Sequence, residues 1–189
     1  MPRLSEVVRL TLVSHGMTDA MAAGRFATDE PLNDLGHRQI GALGLAAVDP
    51  KAFDEAVCGP ERRTVQTANL LGLDARTASE LADLNCGRWR GADLDAVDPA
   101  GLTVWLTDPA QAPHGGESIV TLCRRVGDWL DTVAQRRGRL LAVTHPAVIR
   151  AAVLIALNAP AKAFWRIDIE PAACTTLHYR GHAWTLRLS

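Results

Sequence analysis

Val7-Val8-Arg9-Leu10-Thr11-Leu12-Val13-Ser14-His15-Gly16-Met17-Thr18 decides how this chain is read. Val7 to Val13 is a short β-branched run that stops at Ser14-His15-Gly16. It reads as a buried strand that delivers a histidine into a loop. The arrangement recurs late in the chain, where Leu140 to Val143 runs into Thr144-His145-Pro146. In open α/β sheets, ligands sit beyond the carboxyl ends of the strands. Two imidazoles placed there point to metal binding or to phosphoryl chemistry. Metal sites usually recruit further His or carboxylate ligands at short spacing. Neither His15 nor His145 has a second His within one helical turn, so the phosphoryl reading is preferred and no metal is assigned.

Outward from these two strands, residues 17–33 read as loop, with Gly24, Pro31 and Asn33. Asn33 or Asp34 caps a helix through Ile40, Leu43 and Ala47. Asp54 to Cys58 is another short strand, stopped by Gly59-Pro60, and Pro60 suits the first turn of a helix running to about Leu71. Residues 81–115 are rich in Asp, Gly and Pro and read as an irregular excursion or small cap, with one short helix near 99–106. Glu117 to about Arg137 is the clearest helix, because Ile119, Leu122, Val126, Trp129, Leu130 and Val133 repeat at helical spacing. Gly138 ends it. Pro146 starts a helix through Val148, Ala152, Ile155 and Leu157. Ala173 to Tyr179 and His182 to Leu188 alternate around Arg180-Gly181 and read as a closing hairpin. The pattern is α/β: a three-layer sandwich, its mixed, mostly parallel sheet flanked by helices, with a small cap around 81–115.

Composition narrows the function classes. At 189 residues, a single domain over 1–189 is expected. With 48% hydrophobic and 22% charged residues, disorder, collagen and coiled coil are excluded as whole-chain descriptions. Lys+Arg is 20 and Asp+Glu is 21, for a net charge of -1, which argues against a nucleic-acid partner. Of the basic residues only Lys51 and Lys162 are Lys, a bias read mostly as compositional background. No apolar run is long enough for a membrane span, and Met1 to Glu6 is too polar for a signal peptide. Cys58, Cys86, Cys123 and Cys174 make no CxxC pair, so neither a zinc site nor a disulfide framework is indicated. A reduced cytoplasmic protein without a cofactor is expected, of unassigned oligomeric state.

The chain resembles the histidine phosphatase superfamily, the phosphoglycerate-mutase-like proteins. Val13-Ser14-His15-Gly16-Met17-Thr18 is similar to its Arg-His-Gly signature with a Thr two residues after the Gly. Gly24-Arg25-Phe26 matches a frequent Gly-Arg-Phe. Pro31-Leu32-Asn33-Asp34-Leu35-Gly36 with Gln39 matches Pro-Leu-Thr-Glu-Leu-Gly and Gln. Cys58-Gly59-Pro60, Arg63 and Gln66-Thr67-Ala68 match Ser-x-x-x-x-Arg-Ala-x-Gln-Thr-Ala. Leu81-Ala82-Asp83 and Gly87-Arg88-Trp89-Arg90-Gly91 match Leu-Arg-Glu and Gly-x-Trp-x-Gly. Gly115-Gly116-Glu117-Ser118 matches Gly-Glu-Ser, and Val143-Thr144-His145 with Val148-Ile149-Arg150 matches Val-Ser-His-Gly-x-Val-Ile-Arg.

The resemblance implies that His15 is the nucleophile and becomes a phosphohistidine. Neutral imidazole has the lone pair this needs. Arg63 becomes the pocket arginine whose fork takes two phosphate oxygens, with Arg62 on the surface. His145 becomes the second histidine, donating to the same phosphoryl group. Ser14, Gly16 and Thr18 line the phosphate site, and Arg25 reaches the distal part of a small-molecule phosphate substrate. Asp83 takes the general-acid position, its pKa raised beside phosphate. Glu117 is the alternative acid, otherwise a helix-terminus carboxylate.

Three positions depart from the family pattern. Ser14 stands where the signature Arg is expected, Met21 replaces an Asn, and Pro146 replaces the Gly after the second His. Loss of one cationic clamp removes several kcal/mol of transition-state stabilisation, on the order of 10³-fold in rate. Arg25, Arg62 and Arg88 are the candidates to fill the gap. The leading expectation is a metal-independent phosphomonoesterase working through His15. The alternative is a non-catalytic phosphate-binding or regulatory member of the same fold. The cleft wall is expected from residues 17–30 and 83–115, including Trp89, Trp105 and His114.

Overall fold

A computed structural model describes residues 7–188, so the reading of Met1 to Glu6 lies outside the described residues. β1 (Val8–Ser14), β2 (Glu55–Cys58), β3 (Ala75–Thr77), β4 (Arg139–Thr144), β5 (Cys174–Tyr179) and β6 (Trp184–Arg187) form one sheet in the order β3-β2-β4-β1-β5-β6. The β3–β2, β2–β4 and β4–β1 pairs are parallel; the β1–β5 and β5–β6 pairs are antiparallel. A mixed, mostly parallel sheet is what the sequence predicts.

Alternation along the central strands builds the layers, because successive side chains leave a strand on opposite faces. Leu10 and Leu12 of β1, with Leu140 and Ala142 of β4, pack in one core with Leu122, Val126, Trp129, Val148 and Ile149. Those partners belong to α5 (Ile119–Ala134) and α6 (Pro146–Ala156). Val13, Leu141 and Val143 face the other way and pack with Ile40, Ala68 and Leu71. Ile40 lies on α2 (Asp34–Ala46) and Ala68 on α3 (Arg62–Leu70). Both sheet faces are covered, so Leu12 to Ser14 of β1 and Leu140 to Thr144 of β4 are buried on both sides, while Arg9 and Arg139 nearer the strand starts are exposed.

Local chemistry sets most boundaries. The Asn33 side chain caps α2 by accepting from the Gly36 amide at 2.9 Å. Ser118 caps α5 through the Thr121 amide at 3.1 Å, so the helix starts just after Glu117. α5 stops at Ala134, short of the Arg137 expected, and Gly138 serves the turn into β4 with φ +87. Two further differences are short elements without a periodic signal: α1 (Asp19–Ala23) interrupts the loop and β3 adds an edge strand. The expected α3 begins at Arg62 rather than at Pro60. The excursion carries α4 (Pro99–Thr107), where one short helix was expected. It folds around its own cluster of Trp89, Val97 and Trp105, against which Phe26, Leu102 and Trp165 pack.

Candidate active site

The β1–β4 register pairs Ser14 with Thr144, so the residues that follow, His15 and His145, come out side by side. Their ring centroids are 5.1 Å apart, with planes inclined at 68°. Both are buried. His15 Nδ1 lies 2.8 Å from the Gly16 carbonyl oxygen. A carbonyl only accepts, so Nδ1 carries the proton and Nε2 keeps its lone pair. Burial, with His145 and Arg63 beside it, draws the His15 pKa down to about 3, so the ring is neutral at pH 7. The loop leaving His15 lies tight on α2: a Cβ on Gly16 would stand 2.7 Å from the Gly36 carbonyl oxygen.

Arg63, in the first turn of α3, is 1% exposed and is aimed by two contacts. Nη1 donates to the Thr28 carbonyl at 2.7 Å and Nη2 to Asp83 Oδ2 at 2.7 Å. Glu30 Oε1 is 3.9 Å from Nη1. Asp83 Oδ1 accepts from the Leu84 amide at 2.8 Å. Burial pushes the Asp83 carboxyl up, but His145, Arg63 and His15 outweigh it and hold the group at about 2. In the free protein Asp83 is therefore an anion.

His145 sits between two carboxylates. Its Nε2 is 2.8 Å from Glu61 Oε2, and its Nδ1 is 3.4 Å from Asp83 Oδ2. Glu61 precedes α3 as its cap residue, yet its side chain makes no cap bond. It is turned inward, where its other oxygen accepts from the Asp83 amide at 2.9 Å. The sequence reading passed over Glu61. A carboxylate just before a helix reads as a helix-terminus group, and His145 lies 84 residues away.

The remaining expected residues divide. His15, Thr18, Arg25, Arg63 and Asp83 line one cleft of about 260 Å³, whose wall also carries Phe26, Trp105, Phe164 and Trp165. The Thr18 side chain caps α1 by accepting from the Met21 amide at 3.2 Å. Arg25 stands 3.9 Å from Asp93 at the surface. Met21 and Pro146 line the cleft as well, contributing no charge where the family pattern has donors.

Two expectations are corrected. Ser14 is not aimed at a phosphate. It is fully buried, its hydroxyl donates to the Glu170 carbonyl at 2.6 Å, and it accepts from the Ala173 amide at 2.9 Å. The strand end needs that hydroxyl to hold the segment entering β5. Glu117 is bound to Arg125, with Oε1 2.9 Å from Nε and Oε2 2.8 Å from Nη2, and is not among the residues lining the cleft. Arg125 in turn donates to the Glu80 and Ala82 carbonyls. This ion pair therefore fastens α5 to the segment carrying Asp83.

Of the cations expected to replace the signature Arg, only Arg25 lines the cleft; Arg62 and Arg88 are exposed. Arg150 lines it too and was not anticipated in that role. Its Nε donates to the Ile167 carbonyl at 2.7 Å, and its guanidinium lies 5.6 Å from the Phe164 ring centroid and 5.7 Å from that of Trp165. Trp105 reaches the cleft, whereas Trp89 and His114 pack together inside the excursion at 5.0 Å and are not among its lining residues. No group of three or more His, Cys, Asp or Glu gathers as a metal site among the described residues. Nor is any helix among them long and apolar enough to cross a membrane.

Known proteins match over this geometry. The family described as the histidine phosphatase superfamily (branch 1) matches residues 10–189. An adenosylcobalamin/alpha-ribazole phosphatase of Salmonella typhimurium is 30% identical over 177 residues, covering 86% of this chain and 86% of its own length. A bifunctional protein of Mycobacterium tuberculosis is 28% identical over 182 residues, covering 90% of this chain but 50% of its own length. The chain thus spans about half the length of the mycobacterial proteins of that type. Among solved structures, mycobacterial glucosyl-3-phosphoglycerate phosphatase in complex with VO3 superposes with a TM-score of 0.84 at 27% identity, covering 95% of this chain and 97% of that one.

Proposed function

The chain belongs to the histidine phosphatase superfamily (branch 1), and from that premise we propose that it hydrolyses a small-molecule phosphomonoester through a phosphohistidine on His15. One observation carries the reading: the bond from His15 Nδ1 to the Gly16 carbonyl leaves Nε2 as the nitrogen with a free lone pair. Nε2 attacks phosphorus as the bond to the leaving oxygen breaks. Arg63 has five N–H donors, of which Thr28 and Asp83 take two, so its fork has donors left for the equatorial oxygens. Asp83 takes the general-acid role for the leaving oxygen: a phosphate anion bound beside it raises its proton affinity, so it takes up a proton from solvent and passes it on. Water then attacks phosphorus, the P–Nε2 bond breaks and returns its electron pair to His15, and Asp83 receives the water's proton. His145, beside His15, donates to the same phosphoryl group. The chain works as one domain without a metal.

Small sugar phosphates, nucleotide-like phosphates and ribazole-type cofactor precursors are the substrates to screen, in keeping with the names of the similar proteins. Four free cysteines support a cytoplasmic location.

A specific observation favours the second reading, a phosphate-binding or regulatory protein. Ser14 brings no charge, and its hydroxyl is occupied by backbone. An aryl phosphate assay separates the two. Turnover that vanishes in His15→Ala, with acid-labile phosphate trapped on the wild type, is the expected result. Phosphate binding without turnover and without phosphoprotein would establish the second reading instead.

A further inference from the structure

The structure assigns a second anion-binding site, on the sheet face that runs from β4 to β6, where Arg9, Arg139, Arg187 and His178 take an elongated anion carrying several linked phosphate groups. The site lies outside the catalytic cleft and stands independently of the phosphomonoesterase reading.

Register builds the site. Arg9 pairs with Arg139 across the parallel β1–β4 ladder and with His178 across the antiparallel β1–β5 ladder. Thr11 pairs with Thr176, and Thr176 with Arg187 of β6. Residues paired across a ladder share a face, as do residues two apart on one strand. These six side chains therefore stand on the face opposite Leu10, Leu140 and Leu177, which pack toward α5 and α6. The core under α2 and α3 reaches Val13, Leu141 and Val143 on that face. It leaves Arg9, Arg139 and Arg187 exposed. The six line one cavity of about 310 Å³, with Phe53 in its wall.

Charge on this face has one sign. Like charges directly opposite each other on a sheet are destabilising, yet Arg9 stands between Arg139 and His178. Among the described residues, none of Arg9, Arg139 and Arg187 forms an ion pair with a carboxylate. Asp54 adjoins the face, but its Oδ2 accepts from the Arg139 amide at 2.8 Å, and it does not line the cavity. His178 is buried, and beside burial the charges that lower its pKa, from Arg9, Arg187 and Arg180, are all positive. The chain as a whole has a net charge of -1. Three guanidinia gathered without an acid between them focus a local positive potential that an anion from outside satisfies.

Spacing selects the kind of anion. β4, β1, β5 and β6 are neighbours in the sheet, so the backbones of Arg139 and Arg187 stand three strand spacings apart, about 14 Å. One phosphate meets one or two guanidinium forks, whereas a run of linked phosphates meets all three. Each fork takes phosphate oxygens in pairs, and the Thr11 and Thr176 hydroxyls donate to the oxygens between. Arg9 precedes His15 by six residues and Arg139 precedes His145 by six. The cations thus lie about 20 Å down the same two strands from the catalytic histidines. An anion held here is out of reach of His15, so it is bound and not hydrolysed.

The test uses the full chain, with tripolyphosphate as the probe and orthophosphate as the short control. Titration calorimetry is expected to show tripolyphosphate binding at least about tenfold tighter than orthophosphate, and weakening as salt is raised. Nuclear magnetic resonance signals of the His178 ring and of the Arg9 and Thr176 amides are expected to move with tripolyphosphate, in His15→Ala as in the wild type. The double variant Arg9→Gln/Arg187→Gln is expected to bind tripolyphosphate about 10²-fold more weakly, about tenfold for each fork removed. Its melting temperature without anion is expected not to fall, because the change relieves like-charge repulsion; this separates a lost site from a lost fold. Absence of tripolyphosphate binding, shifts confined to His15 and His145, wild-type affinity in the double variant, or no preference over orthophosphate overturns the site. Tighter binding of an acidic peptide of equal charge overturns the choice of ligand.

Discussion

Arg63 Nη2 lies 2.7 Å from Asp83 Oδ2, joining the first turn of α3 to the mouth of the excursion. The cation assigned to phosphate and the carboxylate assigned to the leaving group therefore hold each other in the free protein. A phosphate bound at Arg63 acts on Asp83 as well.

Arg63→Met removes the cation and leaves the Asp83 carboxylate, largely buried, without its charged hydrogen-bond partner. The expected cost is on the order of 3 kcal/mol, because breaking one side of a buried pair strands the other. Asp83→Asn added to Arg63→Met should recover part of that loss, since residues in contact do not act additively. Urea unfolding of the two single variants and the double reads the coupling; strict additivity would count against it.

Asp83 and Glu117 compete for the general-acid role. Asp83→Asn is expected to lower turnover of an alkyl phosphate about 10²- to 10⁴-fold, the usual range for a lost acid. Glu117→Gln should lower it less than tenfold and chiefly destabilise the protein, because it weakens the Arg125 pair that fastens α5 to residues 80–82. Steady-state kinetics on both variants, beside their melting curves, decides. A larger loss of turnover in Glu117→Gln would reverse the assignment.

Ser14→Ala tests whether the signature position still touches phosphate. The substitution leaves the Ala173 amide without its 2.9 Å acceptor in a buried place, at about 1–3 kcal/mol. Turnover should stay within about threefold of wild type once the folded fraction is corrected for. A selective rise in KM without loss of stability would instead put Ser14 in the phosphate site.

Acid stability follows from two lowered pKa values. His15 drops from 6.5 to about 3 on folding, so the unfolded chain binds more protons between those values and stability falls as pH drops below 6.5. Asp83 drops from 3.8 to about 2, so its contribution is complete above 3.8 and is lost as pH falls toward 2. Its size is on the order of 2 kcal/mol. Denaturant midpoints measured from pH 7 to pH 3 should decline in the wild type. In His15→Gln they should stay flatter between pH 6.5 and pH 4; equal slopes in the two proteins would contradict the buried neutral imidazole.

Much of the site was legible along the chain because its parts are local. A β-branched run ending in His and an Asn ahead of a helix each act within a few residues. Arg63 could be singled out from Arg62 by its spacing to Gln66. β3 could not be found, because three residues carry no period.

The sequence by itself determined the two histidine-bearing strands, the helices that cover both faces of the sheet, and the family pattern of residues at the strand ends. Tertiary structure decided what those residues do to one another. Register between β1 and β4 set His15 beside His145. Packing brought Glu61 to His145, Asp83 to Arg63, and the Ser14 hydroxyl to backbone 156 residues away. The physical reason is range. Hydrophobic period and capping are read from neighbours in sequence, whereas hydrogen bonds and charge in a buried site depend on which distant segments come within about 3 Å, and only the folded sheet sets that.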